Sequence, residues 1–461
     1  METFLIRALQ VILCISLLIF LHEGGHFLFA KLFKIRVEKF CLFFDPWKTL
    51  FKFKPKKSDT EYCLGWLPLG GYVKIAGMID ESMDKEQMKL PPQPWEFRSH
   101  PAWQRLLVMA GGVLVNFLVA LLLYSMILFW WGDTYVPTQS MTYGMQFNKE
   151  AKALGFQDGD ILLRTDKKEF KNFDTRDGIT NAYRDMSEAQ YVDVLRNGTE
   201  KRIQLPADGL NMLQMFKSNP PFMLAYFPSV IDSVVAKTPA AQAGVEKGDQ
   251  IVAFNKTPIA TWNDYNRAII GLSDRLKGAP TDDSLAMRHV VITVQRARTA
   301  ELDTLSLMLD EELKMGVIQK GMYQCYKPSV REYSFLESFP AGISHGVAVL
   351  EGYLQDFKYL FSKEGASSVG SFGAIGSMFP TTWNWHRFWE LTAFISIMLA
   401  FMNILPIPAL DGGHILFVLI EIVTRRKPSE KFMERAEMVG LSFLVLLMIW
   451  AVKNDIVNFL L

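Results

Sequence analysis

Cysteine is scarce in this sequence: Cys14, Cys41, Cys63 and Cys325 are the four present in 461 residues. They form no CxxC pair and no regular spacing, which argues against a disulfide framework and against a cysteine-ligated zinc site. They are expected as ordinary apolar or boundary residues. Charge is also thin, at 21% of residues against about 25% in soluble proteins. Neither sign is in excess: the formal net charge is +1, so nothing points to nucleic acid as a partner. There are only seven histidines, so a pair at chelating spacing stands out.

What the chain does have is apolar residues, half of its composition. They gather in about four blocks, the pattern of a membrane protein with a water-soluble insert. The length allows about three domains. The first block, Phe4 to Ala30, is long enough to cross a bilayer, which takes about 20 residues. Arg7 ahead of an apolar core also fits a cleaved signal peptide. The block runs into Lys31 without a small-residue cleavage site, which weighs against that alternative. A polar, cationic stretch follows, with 14 Lys/Arg and 9 Asp/Glu between Lys31 and Arg105. Within it, Phe51-Lys52-Phe53-Lys54 alternates like a strand. Gly70-Gly71-Tyr72-Val73-Lys74-Ile75 reads as a glycine turn leading into another strand, and Pro91, Pro92 and Pro94 mark a loop. Trp103 to Trp131 is the second span, with Trp103, Trp130 and Trp131 placed as interfacial aromatics.

The insert carries an internal repeat. Leu154-Gly155-Phe156-Gln157-Asp158-Gly159-Asp160-Ile161 matches Ala243-Gly244-Val245-Glu246-Lys247-Gly248-Asp249-Gln250-Ile251, with Gly155 on Gly244 and Phe173 on Trp262 at the same offset of 89 residues. Two copies of a small β-rich module follow from this. Ser334 to Phe361 reads as an amphipathic helix. Ser367 to Met378, rich in small residues, reads as a loop or a place of close backbone approach, with the loop favoured. The third apolar block, Phe388 to about Val423, is interrupted by Asn403, Pro406, Pro408, Asp411 and His414. The fourth, Met438 to Val452, is short for a core of about 30 Å, so flanking residues must extend it.

The chemistry sits in His22-Glu23-Gly24-Gly25-His26. Two histidines four apart share a helix face and can chelate zinc, with the adjacent glutamate as general base. Such groups inside an apolar helix are costly and usually functional. The bland alternative is a charge cluster at a helix end. Zinc needs a third protein ligand. Asn403 to His414 is the one comparable stretch, offering Asp411 or His414 from backbone broken by two prolines. Counting spans places His26 and Asp411 toward the same membrane face, which favours Asp411. Lys31, Lys34, Arg36 and Lys39 flank that face, with Arg425, Arg426 and Lys427, so it is expected to be cytoplasmic. His100, His289, His345 and His386 lie outside the apolar blocks and are expected at the surface.

These motifs resemble the site-2 protease family of intramembrane zinc metalloproteases, in particular its RseP-like bacterial branch, over nearly the whole chain. His22 to His26 matches the HExxH motif, and Asn403 to Gly412 matches N-x-x-P-x-P-x-L-D-G. The resemblance implies one zinc per chain on His22, His26 and Asp411, with Glu23 catalytic. It implies a substrate or oxyanion role for Asn403. Asn116 is a further candidate for that role, although the second-helix motif G-P-x-x-N-F lacks its proline in Gly111 to Phe117. Gly70, Gly71, Tyr72, Val73 and Lys74 resemble a β-hairpin edge that pairs with extended substrate. The two repeats resemble PDZ domains that filter substrates.

The implied fold is an α-helical polytopic membrane protein with four transmembrane helices, two inserted PDZ-like domains and a membrane-associated β-hairpin. Its expected boundaries are 1–31 for helix one, 32–102 for the hairpin loop and 103–131 for helix two. The PDZ-like domains take 132–220 and 221–320, a connector takes 321–387, helix three 388–424, and a basic loop with helix four 425–461. The implied partners are the lipid bilayer, a transmembrane protein substrate such as an anti-sigma factor or remnant signal peptide, and an upstream site-1 protease. The implied location is the bacterial inner membrane with periplasmic PDZ domains. Two rivals are a PDZ scaffold that binds without cutting, and a metal transporter. Neither accounts as well for a buried glutamate beside two histidines. Glycines cost about 1 kcal/mol each against alanine inside a helix, so Gly24-Gly25 predicts a loosened first helix.

Overall fold

A computed structural model describes residues 2–78, 91–174, 178–207, 209–211, 214–215, 218, 220–276, 281–357 and 370–459. The chain divides into two compact units, one of residues 1–132 with 332–461 and one of residues 133–331.

The first unit is built around long apolar helices. α1 spans Glu2–Leu32 and α2 spans Ala102–Trp131. α3 (Phe335–Phe357) opens on a reciprocal cap: Ser334 and Glu337 exchange hydrogen bonds between side chain and backbone, as in a capping box. α4 is Phe372–Met378, α5 Trp385–Ile404, α6 Asp411–Thr424 and α7 Glu430–Phe459. Among the described residues, four helices are long and apolar enough to cross a membrane: α1, α2, α5 and α7.

Several expectations change here. The stretch 388–424, expected as one span, is two helices, because Pro406 and Pro408 cannot continue α5. The chain turns through Ala409, whose φ is 74°. α6 has 14 residues, about 21 Å at 1.5 Å each, too short to cross alone. The segment around the fourth apolar block lengthens into α7 of 30 residues. The glycine-rich stretch favoured as a loop is helical from Phe372 to Met378; residues 367–369 lie outside the described residues, as do 358–361 of the amphipathic segment. Asp455 of α7 explains that helix. Its carboxylate accepts from the Ser371, Gly373 and Ala374 amides at 3.1, 3.0 and 3.2 Å, and from the Ser371 hydroxyl. A carboxylate there satisfies the helix's free N–H groups and its dipole. α1 runs unbroken through Gly24-Gly25.

Between α1 and α2 lie β1 (Val37–Phe53) and β2 (Glu61–Ile75). Each bends back, so that four segments lie side by side in the order 71–75, 37–42, 61–65, 49–53. Gly70 and Gly71 lie within β2 rather than in a turn before it. Segment 71–75 is an edge among the described residues, paired on one side to 37–42. Cys41 stands opposite Cys63 in this register and is bonded to it, with Cα atoms 4.6 Å apart. This overturns the reading of the cysteines as isolated residues. Their spacing of 22 in sequence carries no sign of it, because strand register alone makes them neighbours. Cys14 and Cys325 are free thiols. Lys39 donates to Asp45 and Tyr72 across the same sheet at 2.7 and 2.6 Å.

In the second unit each of the two sequence copies contributes an antiparallel sheet. One copy has the sheet Ile161–Thr165, Tyr191–Arg196, Thr199–Gln204; the other has Gln250–Phe254 joined to Thr257–Pro258 and His289–Gln295, the last paired with Leu302–Met308. Asp160 and Asp249 are both buried. Each accepts from the backbone N–H three residues earlier, Gln157 and Glu246. Each also pairs with an arginine of a following strand or its end, Arg196 at 2.7 Å and Arg296 at 2.8 Å. The same arginines donate to the carbonyls of Gly155 and Gly244. The two sequence copies thus share an arginine–aspartate contact, though Arg296 also pairs with Asp303. That difference separates two expected stabilities. Arg196 loses its only carboxylate partner among the described residues in Asp160→Ala, whereas Arg296 keeps Asp303 at 2.6 Å when Asp249 is removed. Asp160 is buried but the Arg196 side chain keeps 20% exposure, so the arginine left behind is partly solvated and the loss is smaller than for a fully buried unpaired charge. Thermal unfolding of the purified chain should still show a larger loss for Asp160→Ala than for Asp249→Ala, and equal losses would refute the distinction.

Candidate metal centre

The histidines of α1 come together because they sit one helical turn apart. Their Nε2 atoms are 3.3 Å apart. Asp411, first residue of α6, brings Oδ2 to 3.2 Å from His22 Nε2 and 3.4 Å from His26 Nε2. Asp411 Oδ2 is buried and accepts no hydrogen bond among the described residues. Ligand atoms about 2.0–2.1 Å from a tetrahedral zinc stand about 3.3–3.4 Å from one another, so this triangle has the right edges. The donor set also suits the ion. Two imidazole nitrogens and one carboxylate oxygen are donors that zinc takes.

His26 is held in the required tautomer. Its Nδ1 lies 2.8 Å from the Val108 carbonyl of α2. The N–H must be on Nδ1, which leaves the Nε2 lone pair facing the cluster. His22 has two amide neighbours, Asn116 of α2 at 3.2 Å from Nδ1 and Asn403 of α5 at 3.4 Å from Nε2. Glu23 lies among the same groups, and its carboxyl reaches the Val73 backbone of the edge segment. A Cβ at Gly71 would stand 3.6 Å from Glu23 Cγ. The edge segment expected as Gly70 to Lys74 thus runs past the cluster.

His414, the rival ligand, is elsewhere: it lies one turn along α6, with Nε2 3.5 Å from Glu437 of α7. His289 is exposed, whereas His100 is half-buried, bonded to Gln104 and not at the surface as expected. His345 and His386 are not at the surface as expected. They are half-buried against the rings of Tyr124 and Trp131 of α2.

The close contact of α1 and α2 was hidden in the sequence. A Cβ on Gly25 would lie 2.3 Å from the Gly111 carbonyl oxygen, and one on Gly112 would lie 2.5 Å from His26 Nε2. Neither position admits a side chain. Gly24, by contrast, has nothing within 4 Å of such a Cβ. The adjacent pair Gly111-Gly112, on a span otherwise made of large apolar residues, was the available signal.

The family model described as peptidase family M50 matches residues 10–447. The chain belongs to peptidase family M50. Relatives align along almost their whole length. The regulator of sigma E protease of Haemophilus influenzae is 26% identical over 96% of this chain and 97% of its own. The protease RseP of Yersinia pestis is 27% identical over the same shares. A Treponema pallidum protein provisionally named a zinc metalloprotease is 24% identical over 99% of this chain and 100% of its own. This M50 peptidase is a zinc metalloprotease of the site-2 type and an integral membrane protein.

Proposed function

We propose that the protein hydrolyses peptide bonds within transmembrane segments of single-pass proteins, with one zinc ion on His22, His26 and Asp411. The observation that carries this reading is the triangle of donor atoms, 3.2 to 3.4 Å on each edge, set between helices apolar enough to lie in a membrane. Bound there, zinc supplies Lewis acidity that makes water nucleophilic near neutral pH and leaves one position for water or substrate.

The other steps belong to side chains. Glu23 takes a proton from the attacking water as the new C–O bond forms. It returns the proton to the amide nitrogen as the C–N bond breaks. Asn403, 3.4 Å from His22 Nε2, offers an amide donor to the carbonyl oxygen that becomes negative. A substrate helix hides its carbonyls in its own hydrogen bonds and must unwind. Segment 71–75 supports a route for this: it is a sheet edge among the described residues, lies by Glu23 and can take extended substrate as an added strand.

The two copies in 133–331 are PDZ-like modules in this reading, placed outside the cytoplasmic membrane of a bacterium. The cationic flank Lys31 to Lys39 and Arg425 to Lys427 supports a cytoplasmic position for the opposite ends of α1 and α5. The modules then admit a substrate only after an upstream protease has trimmed its outer part. One relative is named a regulator of sigma E protease, and in this reading the substrate is anti-sigma factor-like or a remnant signal peptide.

Zinc content tests the ligand set. Purified wild type and His414→Ala should hold one zinc per chain, and His22→Ala and Asp411→Ala should lose it. Zinc kept by Asp411→Ala and lost by His414→Ala would reverse the assignment. A model single-pass substrate, cut by the wild type within its membrane segment, tests the reaction.

A further inference from the structure

We propose that Asn116 is a positioning residue that fixes the tautomer and direction of the His22 ring. This rests on the reading of His22 as a zinc ligand.

The two histidines are treated alike by α2. His26 Nδ1 faces the Val108 carbonyl at 2.8 Å, and His22 Nδ1 faces the Asn116 side-chain amide at 3.2 Å. Val108 and Asn116 are eight residues apart, so they share a helix face. Gly112 lies midway and leaves room for both rings. An antiparallel pair of helices thus matches two imidazoles on one with two polar groups on the other.

The chemistry at His22 then decides which end of the amide is used. If Nε2 is to donate its lone pair to a metal, Nδ1 must carry the proton and needs an acceptor. Asn116 has one in its side-chain oxygen. Asn116 is 1% exposed, and its Oδ1 is buried with no hydrogen-bond partner among the described residues. The oxygen and nitrogen ends of an amide have nearly the same shape, and the hydrogen-bond network assigns them. Turning the amide over sets Oδ1 against the His22 Nδ1–H. One rotation supplies the orphaned oxygen with a donor and the ring nitrogen with an acceptor. The backbone here is already anchored: the Asn116 carbonyl accepts from the Ser396 hydroxyl of α5 at 2.7 Å. Asn116 therefore acts through His22 and not on the substrate.

The test is zinc affinity of the purified full chain, read by competition with a chromogenic chelator. Asn116→Ala is expected to weaken binding by about 10- to 100-fold, the usual effect of losing a partner of a metal-bound histidine. Asn116→Asp keeps the shape and presents only acceptors, so it should bind within several-fold of wild type. That rescue separates positioning from mere packing, and it holds as a test if the alanine variant folds poorly. Wild-type affinity in Asn116→Ala overturns the proposal and returns Asn116 to a substrate or oxyanion role. An aspartate variant as weak as the alanine variant overturns it as well. His22→Ala is the separate control. If that variant keeps its zinc, the ligand reading itself fails and this proposal with it.

Discussion

Glu23→Gln should bind zinc as tightly as wild type and cut a transmembrane substrate about 10²- to 10⁴-fold more slowly, the range for losing a general base. Glutamine keeps the size of the side chain, and the triangle of His22, His26 and Asp411 does not depend on it. What it removes is the ability to take and return a proton. The measurement is turnover of a model single-pass substrate in detergent or vesicles, with zinc content determined on the same samples. Equal cutting by the variant would show that the glutamate is not the base. Loss of both zinc and cutting would show that it helps hold the metal.

The second large effect is expected at Gly25. Its Cβ would meet the Gly111 carbonyl at 2.3 Å, where ordinary contacts begin at about 3.4 Å. Backbone oxygen cannot rotate away as a side chain can, so Gly25→Leu must push α1 from α2. His26 then leaves the Val108 carbonyl that sets its tautomer, and the donor triangle opens. A displacement of about 1 Å in a catalytic constellation costs about 100-fold in rate. Zinc should fall with activity, because the ligands themselves move. Gly24→Ala is the matched comparison. It adds a methyl next door, where nothing lies within 4 Å, and should bind zinc and cut substrate as wild type does. Similar damage from both would refute the helix contact as the cause.

The sequence carried the parts of this structure that follow from local pattern. Apolar runs around residues 4–30, 103–131 and 438–452, and the first part of the run 388–423, lie in helices long enough to cross a membrane. The turn around Gly155 to Asp160 was legible because it occurs twice, and both copies build the same arginine–aspartate contact. The spacing of His22 and His26 gave their common helix face directly. What stayed hidden depends on register or on a partner distant in sequence. Cys41 and Cys63 meet because β1 and β2 align them, which no cysteine spacing reports. α4 forms where loop chemistry was read, because Asp455, more than 80 residues away, caps it. The cost of glycine in a helix was weighed for Gly25 without knowing that another helix occupies the place of its side chain. Asn116 was singled out by its likeness to the second-helix motif, but only the fold sets its side-chain amide 3.2 Å from His22 Nδ1.

The backbone seam at Gly25 and Gly111 has a mechanical consequence. Bilayers differ in thickness, and apolar helices answer by tilting. Two helices that touch through side chains can slide as those side chains change rotamer, and residues along the contact shift with them. Here the helices meet backbone to backbone next to the histidines. That contact works as a fulcrum: rotation about it moves the far ends of α1 and α2 most and the imidazoles least. Of all points along the two helices, the histidines therefore lie where a change of tilt displaces atoms least.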